Sequence, residues 1–109
     1  MKIWIVNSSG HDFQKARKFS DELIPLTSGR VNIFNTERLI EEFRGKMSNY
    51  EEEDWLLLSG SAVLNVIASV VVLEKYDKLK LLLYDVINKD YVPREINKRD
   101  NYKEENIFG

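Results

Sequence analysis

Residues 55–65, Trp-Leu-Leu-Leu-Ser-Gly-Ser-Ala-Val-Leu-Asn, constrain the fold more than any other stretch of this chain. A solid apolar run breaks through Ser59, Gly60 and Ser61 and passes directly into a second apolar segment of helical length, which predicts a buried strand joined to a helix by a very short loop. Such a junction has a chemical consequence. The first amides of a helix lack internal acceptors and the helix dipole makes that end partly positive, so an anion is favoured there.

The rest of the chain alternates in the same way. Residues 2–6 form a short β-branched and aromatic run, read as a central strand. Asp12 caps a predicted short helix to about Phe19, with Phe13, Ala16 and Phe19 inward and Lys15 and Lys18 toward water. Residues 23–27 read as a strand at a sheet edge, because Pro25 has no amide for a ladder. A turn at residues 27–30 follows, and residues 31–34 form a candidate short extended piece. Asn35 or Thr36 then caps an amphipathic helix whose apolar positions Leu39, Ile40, Phe43 and Met47 recur at helical spacing. Residues 48–54, with consecutive acids at 51–54, read as a solvated connection.

After the strand at residues 55–58, a helix is predicted over residues 62–75. Packing must support it, since valine is a poor helix former. Residues 79–84 form a near-continuous apolar strand. Asn88, Lys89 and Asp90 supply a turn into a last strand near Tyr91 and Val92, where Pro93 requires an edge. One α/β domain is therefore expected over residues 1–96, with a polar tail over 97–109. Alternating strands and helices predict a small Rossmann-like, mostly parallel sheet of about five strands with helices on both faces. Its predicted order is near 2-1-3-4-5, so the winding reverses between the first and third strands. Ligands bind such sheets outside the carboxyl ends of the strands at that reversal.

The loops expected there are Asn7, Ser8, Ser9, Gly10 and His11 on one lip and Ser59, Gly60 and Ser61 on the other. The second loop is either a phosphate seat, with glycine allowing close approach and both hydroxyls donating, or a tight turn with a serine cap. Its spacing matches neither the Walker A loop nor the dinucleotide-binding glycine pattern. Ser61, Asn65 and Ser69 recur every four residues and make a polar stripe on an apolar helix, with Asn65 the candidate for meeting a base or ribose. Arg30, and similarly Arg94, are candidate phosphate clamps. His11 is the only histidine. If the protein is an enzyme, His11 and Asp85 are the candidate proton carriers; otherwise Asp85 is a candidate for accepting ribose hydroxyls or for entering a turn.

Composition narrows the classes further. The 109 residues suffice for one core, but not for separate cofactor and substrate domains. A net charge of -2 argues against duplex nucleic acid as partner. With no cysteine, thiolate metal sites and cysteine nucleophiles are excluded, and with one histidine and no spaced acidic motif no resident metal or cofactor is expected. Neither an export signal nor a membrane span is read, and a cytoplasmic location is expected.

The segments Lys-Ile-Trp-Ile-Val-Asn-Ser-Ser-Gly (2–10), Gly-Arg-Val-Asn-Ile-Phe-Asn-Thr-Glu-Arg (29–38) and Trp-Leu-Leu-Leu-Ser-Gly-Ser-Ala (55–62), in that order, resemble small uncharacterised Rossmann-like proteins of phages and mobile elements. The resemblance covers the chain to about Arg94 and carries no catalytic motif. The expected architecture is also similar to CARF-type domains, which sense cyclic oligoadenylates in a dimer cleft. The expected function is a binding module for a nucleotide or nucleotide-derived signal, such as a phage sponge that removes an immune messenger. A metal-independent enzyme cleaving that messenger and a protein-interaction scaffold are the alternatives. A homodimer is expected, from the small size and the polar stripe.

Overall fold

In a computed structural model the chain is described over residues 1–98 and forms a five-stranded sheet in the order β2-β1-β3-β4-β5. The strands are β1 (Ile3–Asn7), β2 (Leu23–Thr27), β3 (Trp55–Leu57), β4 (Lys78–Asp85) and β5 (Asp90–Asn97); the α-helices are α1 (Thr36–Lys46) and α2 (Ala62–Lys75). The first four strands are parallel and β5 returns antiparallel to β4. The α/β class and strand order follow the sequence pattern. Every residue of β1 is buried, as a central strand flanked on both sides requires. Pro25 and Pro93 lie in the two edge strands, where a missing ladder donor is tolerated.

Both α-helices cover one face of the sheet. Trp4, Val6, Leu26 and Leu56 from the strands meet Leu39, Phe43, Leu64, Ile67, Ala68 and Val71 in a single apolar core. Packing on two sides explains why the valine-rich α2 is helical despite its propensity. Asn35 caps α1, its side chain accepting from the Arg38 amide at 3.2 Å.

A smaller cluster fills the opposite face, where Ile3, Ile5, Leu57, Leu82 and Tyr91 pack against Ala16, Phe13 and Phe19. The segment that covers it is a 3-10 helix, Gln14–Lys18, where the sequence pattern led us to expect a short helix running from an Asp12 cap. The physical reason lies in the spacing. Phe13, Ala16 and Phe19 are three residues apart, which aligns them on one line only at three residues per turn. The bonds from the Ala16 amide to the Phe13 carbonyl and from the Phe19 amide to the Ala16 carbonyl, both 3.0 Å, close that geometry.

Three further expectations are corrected. Residues 31–34 form no strand, although Val31 and Ile33 pack against the main core. The last strand runs well beyond Tyr91 and Val92 to Asn97, opposite Lys78; of the expected polar tail, residues 99–109 lie outside the described residues. Asp54, grouped by sequence with the solvated acids, is 1% exposed. Its carboxylate accepts from the Lys2 amide at 2.8 Å, the Trp4 indole at 3.0 Å and the Glu51 amide at 2.9 Å, while its carbonyl accepts from the Tyr50 hydroxyl at 3.0 Å. Glu51, Glu52 and Glu53 do face water. Among the described residues no helix is long and apolar enough to cross a membrane.

Candidate functional site

The carboxyl ends of β1 and β3 lie side by side, and the two loops that leave them touch. A side-chain carbon placed on Gly60 would lie 2.8 Å from Cβ of Asn7, so only glycine fits there, and its φ of +76° also favours glycine. The contact is reinforced by polar bonds. The Asn7 amide donates to Ser59 Oγ at 3.0 Å, and that hydroxyl donates to the Asn7 carbonyl at 2.8 Å. Two hydrogen bonds therefore prolong the β1–β3 pairing one step past the end of the ladder.

Most of the donors and acceptors singled out in the sequence serve this junction itself. Asn7 Nδ2 donates to the Gly29 carbonyl at 2.9 Å and Asn7 Oδ1 accepts from the Ser9 amide at 2.9 Å. The Ser8 amide donates to the Thr27 carbonyl, and Ser9 Oγ accepts from the Gly29 amide. Asn65, expected to meet a base or ribose, holds the loop instead: Oδ1 accepts from the Ser59 amide and Nδ2 donates to the Ser61 carbonyl, each at 3.0 Å. Ser61 Oγ caps α2 by accepting from the Val63 amide, and Ser69 Oγ donates to the Asn65 carbonyl. The polar stripe is thus satisfied within its own helix and the loop before it.

Beside this junction, on the face carrying the 3-10 segment, opens a cleft of about 430 Å³. It is lined by Gly10, His11, Asp12, Phe13, Leu57, Leu58, Ser59, Tyr84 and Tyr91. Gly10, His11 and Ser59 are therefore the sequence candidates brought into one concavity. Asn7, Ser8, Ser9, Gly60, Ser61 and Asn65 stand behind or beside it, and Arg30 is exposed on its own loop. Arg94 borders a separate dish with Trp55 and Lys80. The amides of Gly10 and His11 meet no protein acceptor among the described residues and remain available on the lip.

Aromatic rings make the walls. Tyr84 and Tyr91 meet edge to face at 5.2 Å between centroids, and His11 and Phe13 stand 6.0 Å apart. Tyr84 is 48% exposed, so about half of its surface is left to solvent. Tyr84, Tyr91 and Phe13 were not among the sequence candidates, yet for the tyrosines a signal was present: Leu82 and Tyr84 alternate onto the same face of β4, and the β4–β5 register sets Tyr84 opposite Tyr91. The tyrosine hydroxyl of Tyr91 is held above the usual range, chiefly by burial and next by the neighbouring Tyr84.

Asp85, the other candidate proton carrier, does not line the cleft. Its carboxylate accepts from the Ile87 amide at 2.9 Å, the Asn88 amide at 3.2 Å and Asn88 Nδ2 at 2.7 Å, fixing the β4–β5 turn. Those bonds, the Asn88 amide first, hold its pKa below the ordinary carboxylate value. An acid tied in this way is a poor proton donor at neutral pH. Among the described residues no three His, Asp or Glu side chains converge to hold a metal ion.

Fold and cleft together define a small doubly wound α/β domain whose concavity lies beside the topological switch point, bounded by the loop after β1 and the end of β3. Residues 2–98 match the family described as phage Pam3 gp32-like protein, and the chain belongs to that family. Neither the curated proteins nor the solved structures gave a match.

Proposed function

We propose that the protein is a binding module for a nucleotide or nucleotide-derived signalling molecule, acting by sequestration as a sponge for an immune second messenger. The observation that carries this reading is the cleft at the β1/β3 reversal, with open amides at Gly10 and His11 on one lip and tyrosine rings on the far wall. Its volume falls in the range of roughly 300–1,000 Å³ typical of small-molecule sites. A planar base gains from stacking on an exposed ring, and an anionic or carbonyl oxygen gains from free backbone donors. Catalysis is the lesser reading. Its support is His11 on the cleft lip, and it lacks Asp85 as a partner because that carboxylate belongs to the turn.

Mass spectrometry of small molecules released on denaturing the purified protein tests the proposal, followed by calorimetry with cyclic dinucleotides, cyclic oligoadenylates and cyclic ADP-ribose isomers. A ligand that binds and is recovered intact supports capture. Turnover of the ligand that is lost in His11→Ala would move the assignment to an enzyme, and failure of the whole panel would remove the binding reading.

A second reading, association through a protein face, is favoured by a feature other than those that first suggested it. A groove of about 370 Å³ between α1 and α2 is lined by Thr36, Ile40, Ala62, Val63, Val66, Ile67 and Val70, with Val66 61% exposed. A second copy seated there would cover apolar surface that the monomer leaves to water. Light scattering on the wild type and on Val66→Lys distinguishes a dimer through this face from a monomer.

A further inference from the structure

Both walls of the aromatic cleft run on along the chain, past Phe13 on one side and back from Tyr91 on the other. On one wall the next residues are Gln14 and Lys15, and on the other the next is Asp90; with Lys18 and Asn88 they line a second groove of about 390 Å³. The two concavities therefore lie along the same two stretches of chain, residues 10–18 on one side and the β4–β5 hairpin on the other. Their chemistry differs. The first holds rings and a single acid, Asp12, whose Oδ1 already accepts from the Gln14 amide at 2.9 Å. The second presents two ammonium groups, and their present partners belong to the opposite wall: Lys15 donates to the Lys89 carbonyl and Lys18 pairs with Asp90 at 2.5 Å.

Resting on the nucleotide-binding reading, we propose that this second groove is the phosphate-binding half of one elongated site. The base stacks in the cleft beside Tyr84, and a phosphate displaced from it by a ribose lies between Lys15 and Lys18. The recognised chemistry is then a base and a distal phosphate, supplied either by a nucleoside polyphosphate or by a phosphodiester-linked second nucleotide. The cross-wall bonds do not oppose this. Lys18 and Asp90 are 49% and 41% exposed in their side chains, and a solvent-screened pair of that kind is readily exchanged for a phosphate with more acceptor oxygens. The phosphate seat is thereby assigned to the 3-10 segment and hairpin rather than to Ser59, Gly60 and Ser61, of which Gly60 and Ser61 stand outside the cleft.

Calorimetry on the full chain with adenosine, guanosine, their 5′-diphosphates and cyclic dinucleotides tests the two halves separately. Wild type should bind phosphate-bearing probes more tightly than the nucleosides. Replacing both lysines, Lys15→Gln with Lys18→Gln, should weaken the phosphate-bearing probes about tenfold and leave the nucleosides unchanged. Asp90→Asn removes the competitor for Lys18 and should tighten the phosphate-bearing probes about threefold, a gain that no folding defect produces. Preference for a diphosphate or for a cyclic dinucleotide tells the two sources apart. Phosphate probes that bind no better than nucleosides, or that bind the lysine double variant as they bind wild type, overturn the extended site while leaving the aromatic cleft standing. Absence of binding to wild type by every probe overturns both.

Discussion

The two ends of the sheet handle buried polarity in opposite ways. At the amino end, Asp54 is withdrawn from water and saturated by the Lys2 and Glu51 amides and the Trp4 indole, with the Lys2 ammonium 3.8 Å away. Nothing is left over for a ligand. At the carboxyl end Asn7, Ser59 and Asn65 also satisfy one another, but the amides of the next residues out, Gly10 and His11, meet no protein acceptor among the described residues and stand at the edge of the aromatic cleft. A strand end becomes a candidate site only where the loop runs past its own internal hydrogen bonds. The count of polar residues in the loop does not decide it.

The sharpest way to break this comparison is Asp54→Ala. It leaves the buried Trp4 indole and two partly buried amides without their acceptor and should destabilise the fold by about 3 kcal/mol or more, measured by urea unfolding. A loss below about 1 kcal/mol would show that water replaces the carboxylate, and the two ends would no longer differ in kind.

The carboxyl-end junction should respond next. Gly60→Ala forces a Cβ into Asn7 at positive φ and should cost about 2–3 kcal/mol. Gly10→Ala, at the same φ of +76° with nothing within 4 Å, carries the backbone strain alone and should cost about 1 kcal/mol. Equal losses would mean that the contact between the two loops is loose.

Tyr50 extends the contrast to pH. Burial first, then the Asp54 charge and Tyr76, raises its hydroxyl above the ordinary tyrosine value. A raised folded-state pKa gives stability that is complete below the unfolded value of about 10 and is lost as pH rises through the folded one. Unfolding followed above about pH 10 should therefore show an alkaline loss that Tyr50→Phe reduces; an unchanged alkaline slope would place the titrating group elsewhere.

Tyr84→Ala should have the smallest effect on stability, about 0.5 kcal/mol, because its ring is half exposed and belongs to an edge hairpin. Its effect on binding of any base-bearing ligand should be about tenfold, read by calorimetry. A large stability loss with unchanged affinity would make the tyrosine wall structural.

The order of apolar runs and helical stripes determined the class, the order of the strands, the edge positions of Pro25 and Pro93, and both α-helices. Those features follow from periodicity and from the missing proline amide, which are local. Two loops at one rim were legible as well, through serine and glycine after solid strands. What the loops do was decided only in three dimensions. Whether Asp54 is solvated or buried depends on groups about fifty positions away coming within hydrogen-bond reach, and whether Asn65 faces a ligand or the Ser59 amide depends on how the loop before its helix turns back over it. The cleft shows the same limit, since Tyr84 and Tyr91 become its wall only when β5 folds back on β4 and sets them opposite each other. A residue type states what a group can bond to; the tertiary structure decides whether that capacity has already been filled.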